Sequence, residues 1–276
     1  MTTSDWGDWL PREIADADPD GVDAWYLGCN GFVLKASDGT TVLVDPYVGT
    51  GSPPRTIRMI PVPFDPDDVE RADAVFATHE HTDHVDEESQ APILEATGAD
   101  YYAPDDSLDV VAEEDWQVDY DIGDDQLVEA SEGDTFDVGS FTVHVVETAD
   151  ADATHPVGYV FEHDAGTFFH AGDSKPSDSF SDVGERFDID AAALAFGTVG
   201  NVPDKETGVP ARTRWYNDEN QIIECASDLR VDRLVPTHYD MWKGLTADPT
   251  VLHHHAKSFA YPRDLEIVEI GDRITL

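Results

Sequence analysis

Basic residues are scarce in this chain of 276 residues. Lys plus Arg number 16 against 59 Asp plus Glu, a formal net charge of -43. Nucleic-acid binding needs a positive surface to neutralise phosphate, so the composition argues against DNA or RNA as a partner. Only two cysteines are present, Cys29 and Cys225. They make no disulfide framework and read as small buried residues of a reducing compartment. No apolar run reaches the length of a membrane span. The first twenty residues are polar and acidic, without the basic and apolar segments of a secretory leader. The expectation is a cytoplasmic protein with no membrane partner.

The acids run from Asp5 to Asp272 and form no single tail. At low salt such a charge repels itself. At molar salt the Debye length falls to about 3 Å and the repulsion is screened. Adaptation to a salt-rich cytoplasm, as in halophilic organisms, accounts for this better than one basic partner would. Hydrophobic residues make up 40% of the chain, enough for a globular core. No linker or repeat interrupts it. One domain over residues 1–276 is expected, with residues 1–22 as an acidic N-terminal extension.

Period-2 and short apolar runs place strands at residues 24–28, 31–35 and 41–45, with Asp38-Gly39 as a turn. A Gly/Pro-rich loop follows over residues 47–66, then a buried strand at 74–77 and a helix at 87–97. Further strands are expected at 141–146, 157–162, 167–170, 189–195, 233–236 and 265–270. Helices are expected at 217–229 and 251–259. Residues 201–216 read as a polar loop over the site.

Three apolar strands run directly into residues that bind metals: His79, Asp173 and His238. The first opens the run Thr78-His79-Glu80-His81-Thr82-Asp83-His84, with four ligand-type side chains in six residues. A strand would alternate them between faces, whereas a loop leaving a strand can gather them. His79 and His81 suit one metal, Asp83 and His84 a second. Imidazole with carboxylate suits zinc, manganese or iron. Two such ions ionise water near neutral pH, so neither a serine nor a cysteine nucleophile is required.

This HxHxDH loop is the signature of the metallo-β-lactamase superfamily, and the chain resembles it further. Gly172-Asp173 matches the family's bridging aspartate. Pro236-Thr237-His238 matches its late histidine on the second metal, and Asp45-Pro46 its structural step before a loop. The resemblance implies an αββα four-layer sandwich with two divalent ions, Zn2+ or Mn2+, at one sheet edge. The likeness is strongest to the L-ascorbate-6-phosphate lactonase group. It rests on Leu27-Gly28-Cys29-Asn30-Gly31-Phe32, on Gly172-Asp173-Ser174 with Phe187-Asp188-Ile189-Asp190, and on Thr237-His238-Tyr239-Asp240-Met241-Trp242. It implies hydrolysis of a small sugar-acid lactone, and possible self-association. Asp83 would serve the reaction as well as the metal. Asp240, just past His238, suits either relay of a proton to the leaving alkoxide or a structural turn.

The remaining first-site ligand has two candidates, His155 ahead of the strand at 157 and Asp150 in Glu147-Thr148-Ala149-Asp150. Trp242, Lys175, Arg212 and Arg214 are candidate substrate contacts, the cations because an acidic substrate group needs a clamp. His170 suits either an orienting role or a satisfied core position. His144 and His253-His254-His255 read as structural or exposed. Two rival functions stay open: a phosphodiesterase or nuclease on the same metal core, which needs a basic rim, and a metal-binding protein without turnover. The shortage of cations favours an unphosphorylated lactone.

Overall fold

The computed structural model describes residues 3–203 and 207–276. Alternation along the strands explains the architecture. In Val22–Gly28 the side chains of Val22, Ala24 and Tyr26 enter one apolar cluster, while Trp25 and Leu27 enter another. The same split recurs in Gly31–Ala36, Thr41–Val44 and Ala74–Phe76. In the second half of the chain, Phe141, Val143, Tyr159, Phe161 and Phe168 face the first cluster, and Val146, Val160 and Phe169 face a third. Strands apolar on both faces must be covered on both faces. Two seven-stranded sheets therefore pack against each other, with helices outside each. This is the expected αββα sandwich.

One sheet runs Arg273–Thr275, Val22–Gly28, Gly31–Ala36, Thr41–Val44, Ala74–Phe76, Asp100–Ala103, Leu127–Glu129. The other runs Asp264–Leu265, Arg233–Thr237, Ala191–Ala195, Gly166–His170, Val157–His163, Phe141–Glu147, Thr135–Val138. Each mixes parallel and antiparallel pairs, for example Ala193 beside Val235 in parallel and Phe168 against Phe161 antiparallel. Strands Ala74–Phe76, Gly166–His170 and Arg233–Thr237 all end at the same side of the sandwich, and their following loops make the site.

The helix Glu87–Thr97 has the expected bounds and closes at Gly98 in the left-handed conformation that glycine favours. The late helix is shorter than expected, Leu252–Ala256. Of the expected last strand at 265–270 only Leu265 lies in a strand, Asp264–Leu265, and the chain adds Arg273–Thr275 to the first sheet. Residues 201–216 also differ. Val199–Pro203 and Pro210–Arg214 form an antiparallel hairpin, with residues 204–206 outside the described range. Pro210–Arg214 is largely exposed on both faces, so it carries no hydrophobic alternation to reveal it. The N-terminal segment forms the helix Trp9–Asp16, fixed where Lys35 donates from Nζ to the carbonyls of Ile14 and Ala15, each at 2.8 Å. Among the described residues no helix is long and apolar enough to cross a membrane.

Candidate metal centre

The site begins with Asp45, buried at the end of Thr41–Val44. Its carboxylate accepts from the Thr78 backbone N–H at 2.9 Å and the Thr78 hydroxyl at 2.8 Å. It thereby fixes the point where the chain leaves Ala74–Phe76 and enters the histidine loop. Gly172 packs close on the same threonine: a Cβ there would lie 2.8 Å from Thr78 Oγ1. Its positive φ and missing side chain let the Asp173 loop lie against the histidine loop.

Each imidazole of the histidine loop has one nitrogen engaged from behind and the other turned inward. His84 Nδ1 is 2.7 Å from Asp45 Oδ2. His79 Nδ1 is 2.9 Å from Thr78 Oγ1, and His81 Nε2 is 3.3 Å from the Asp152 carbonyl. These contacts leave His84 Nε2, His79 Nε2 and His81 Nδ1 to face the centre. His84 Nε2 is buried and finds no hydrogen-bond partner.

Two groups of donors result. His79 Nε2 and His81 Nδ1 lie 3.0 Å apart, and Asp150 Oδ2 is 3.5 and 3.6 Å from them. Asp173 Oδ2 is 3.9 Å from His79 Nε2 and 3.3 Å from His84 Nε2. Its other oxygen is 3.5 Å from His238 Nε2, which is 3.2 Å from Asp83 Oδ2. Asp173 thus stands between His79, His81 and Asp150 on one side and His84 and His238 on the other, with Asp83 beside His238. Imidazole and carboxylate donors at these spacings fit two divalent cations. The unpartnered Nε2 of His84 is the orphaned atom such a cation would satisfy.

Charge supports the fit. Burial alone would raise the Asp173 carboxyl, but the imidazoles of His238, His84 and His79 outweigh it and hold the group far below the usual range. At Asp83 burial is likewise overridden, by the hydrogen bond from His238 and the charge of His84, leaving a pKa of about 2. Burial and then His84 push His79 down to about 3, so it is a neutral ligand at physiological pH. His84 moves the other way. Burial lowers it, but Asp173 and Asp45 together raise it well above normal. A cation at Nε2 would take the place of any proton there.

The structure brings Asp150 and not His155 to this centre. Ala149 N–H donates to Ser174 Oγ at 2.9 Å, and Lys175 N–H to the Ala149 carbonyl at 2.8 Å. These bonds tie the Asp150 turn to the residues that follow Asp173. His155 points outward, 65% exposed, with Nδ1 at 3.0 and 2.6 Å from Asp105 and Asp106. Asp240 is half-buried, one carboxyl oxygen has no partner, and burial raises its pKa. Trp242 is a wall and not an open contact: it is buried with Cys29, Met241 and Leu245, its ring 6.3 Å from that of Tyr47. Arg214 pairs with Glu219 at 3.6 Å, Arg212 stands exposed on the hairpin, and Lys175 is partly exposed two residues after Asp173.

His170 is a satisfied buried histidine with a supporting role. Its Nε2 is 2.6 Å from the Asn30 carbonyl, and its Nδ1 accepts the Gly172 N–H at 3.2 Å. Asn30 in turn donates to Asp173 Oδ1 at 3.2 Å and accepts from the Thr237 hydroxyl at 2.7 Å. His144 lies at the sheet surface, 3.2 Å from Glu162, and His253 to His255 sit on the short late helix. Sequence reading missed Asn30 and also Tyr216. The Tyr216 ring stacks on His238 at 4.3 Å, with its hydroxyl 3.0 Å from Nε2. Asn30 lies in a segment that carries the family resemblance but has no role assigned from it, Tyr216 carries no motif, and both come from turns whose course only the fold reveals.

Comparison with known proteins agrees with this geometry. Residues 40–239 match the family model described as a β-lactamase superfamily domain. A probable L-ascorbate-6-phosphate lactonase from Salmonella heidelberg is 26% identical, over 90% of this chain and 78% of its own length. Among solved structures, a metallo hydrolase from the archaeon Ignicoccus hospitalis matches with a TM-score of 0.68 at 21% identity, covering 92% of this chain and 98% of that one. A diiron β-hydroxylase from Streptomyces venezuelae matches with a TM-score of 0.67 at 17% identity, covering 94% and 55%. The two structures share the fold, and their different chemistries show that the fold does not choose the reaction. The family match over most of the chain and the two groups of inward-facing donors lead to one conclusion: the chain belongs to the metallo-β-lactamase superfamily of metal-dependent hydrolases.

Proposed function

We propose that the protein is a lactonase that opens a small, unphosphorylated sugar-acid lactone. The observation that carries the hydrolytic part is Asp173 standing between two groups of ligands. His79, His81 and Asp150 would hold one divalent cation, Asp83, His84 and His238 the other, with Asp173 shared. When bound, the cations would supply an ionised water at neutral pH and polarise the lactone carbonyl. The chain's own work is to keep that pair in place. Asp45, Thr78 and Asn30 orient His84, His79 and Asp173 from behind.

Ring opening needs a proton for the departing alkoxide. Asp240 is the candidate donor, two residues after His238 and with one buried carboxyl oxygen unpartnered among the described residues. The lactone reading draws on the named activity of the Salmonella relative. The unphosphorylated reading draws on the site's surroundings. A cavity of about 440 Å³ reaches the centre at Asp150, and among the described residues its walls include Asp105, Glu132 and Glu147 but no Lys or Arg. Carboxylates on that side of the centre would repel a phosphate, which supports the unphosphorylated reading.

The test is a panel of phosphorylated and unphosphorylated lactones, a phosphodiester and a β-lactam, assayed at high salt with zinc and manganese added separately. Turnover of an unphosphorylated lactone, abolished in His81→Ala, is the expected result. Turnover restricted to phosphodiesters would overturn the reading, as would full lactonase activity and metal content in His81→Ala. Two bound cations with no turnover across the panel would favour a metal-binding protein.

A further inference from the structure

We propose that a cavity beneath the N-terminal helix binds an aliphatic carboxylate of about ten carbons, with Lys35 anchoring its head group. The cavity, about 280 Å³, lies between the helix Trp9–Asp16 and the outer face of the first sheet. It shares no residue with the metal centre, so the inference stands apart from the proposed reaction.

The register of the sheet makes the cavity floor amphipathic. Lys35 is paired with Thr41, and two residues along on the same face Val33 is paired with Leu43. Leu27 continues the apolar stretch on the neighbouring strand. The helix above repeats this order. Ile14 and Ala15 meet the Lys35 end through their carbonyls, and Leu10, a turn earlier, lies towards the apolar end. Successive rows on one sheet face are about 6.6–6.8 Å apart, so three rows offer about 13 Å, the length of about ten extended carbons. Volume agrees: an apolar cavity of about 150 Å³ accepts benzene, and this one is nearly twice as large.

The polar end calls for an anion. Lys35 is only 9% exposed. Its Nζ donates to the carbonyls of Ile14 and Ala15, each at 2.8 Å. An ammonium has three donors, so one remains for a ligand. Arg71 lines the same end and pairs with Asp73 through Nε and Nη2, leaving Nη1 outside that pair. The whole chain has 59 acids to 16 bases. Among the described residues the cavity wall inverts that ratio, with Lys35 and Arg71 against one acid, the exposed Glu70. Two cations at the end of an apolar slot complement a carboxylate on a hydrocarbon chain.

The test is calorimetric titration of the zinc-loaded protein with decanoate, decanol and decylammonium. It is run in 1 M potassium chloride, where the Debye length of about 3 Å removes repulsion by the net charge. One-to-one binding of decanoate is expected, about tenfold or more tighter than decanol, with decylammonium weakest. Lys35→Met is expected to bring decanoate down to the affinity of decanol, and Lys35→Arg to restore part of the difference. Val33→Phe and Ile14→Phe fill the slot from floor and roof, and each is expected to abolish binding while the bound zinc is unchanged. Absence of saturable decanoate binding to the parent overturns the proposal. So does binding that survives both filled variants, because the ligand then sits elsewhere, such as on the metals. Equal affinity for decanoate and decanol in the parent, or a preference for decylammonium, overturns the role of Lys35.

Discussion

Asp45 Oδ2 lies 2.7 Å from His84 Nδ1, and both side chains are fully buried. The contact fixes which nitrogen of His84 carries the proton and so which one faces the centre. Asp45 also holds Thr78, whose hydroxyl contacts His79 Nδ1. Through two partners, one carboxylate therefore sets a ligand in each group.

Asp45→Asn should weaken metal binding without touching any metal. Replacing such a supporting carboxylate typically costs 10- to 100-fold in metal affinity. Loss of the charged hydrogen bonds should also lower stability by about 1–3 kcal/mol. Competition with a chromogenic chelator reads the first effect and urea unfolding of the metal-free protein the second. Unchanged affinity would show that Asp45 serves only the fold.

Asp150→Ala should reduce the bound metal from two equivalents towards one, whereas His155→Ala should leave both in place and change stability by under about 0.5 kcal/mol. Metal content after gel filtration decides between them. The opposite pattern would mean that residues 149–156 rearrange on loading.

That pair also marks how far the sequence could be read. The HxHxDH loop, Asp173 and His238 were legible because each follows a buried apolar strand, and a strand end is an anchored place. The layered fold was legible for the same reason, through alternation on Val22–Gly28 and Phe141–Glu147. The choice between Asp150 and His155 was not. It depends on bonds of the Ala149 backbone to the Ser174 hydroxyl and the Lys175 N–H, about 25 residues away, which no local pattern reveals. Cys29 read as a small buried residue, and it is one. Its neighbours Asp83 and His238 lie 54 and 209 positions along the chain, beyond the reach of any local pattern.

Asp86 should limit stability above mild acidity. It caps the helix Glu87–Thr97, and its pKa is raised to about 6 by burial, with the charge of Glu88 adding to this against the hydrogen bond from Ser89. An unfolded aspartate titrates near 3.9. Between that value and about 6 the folded chain holds the proton and the unfolded chain has lost it, so stability falls as pH rises through this window. Asn has nearly the same shape, can accept from the Ser89 hydroxyl and carries no charge. Asp86→Asn should match the parent below pH 4 and exceed it at pH 7.5. A rise of two pH units sets a ceiling of about 3 kcal/mol, and partial exposure cuts this to about 1–2 kcal/mol. Denaturant unfolding at both pH values is the check. An equal gain at both would trace the effect to something other than ionisation.

Salt should stabilise the protein steeply at first and then more slowly. The formal charge of -43 leaves most acids without a basic partner, because there are 59 acids and 16 bases to pair them. Screening acts where the Debye length shrinks most, from about 10 Å at 0.1 M to about 3 Å at 1 M. If repulsion among surface carboxylates is the destabilising force, most of the rise in Tm in potassium chloride should fall within this range. Exclusion of salt from apolar surface would instead keep raising Tm almost linearly through 3 M. Sucrose, which strengthens burial without screening charge, separates the two further: it should leave the chloride dependence unchanged in shape. A Tm that is the same at 0.1 and 1 M would mean that the acids are spaced widely enough to tolerate one another, and the acidic surface would then need a cause other than salt.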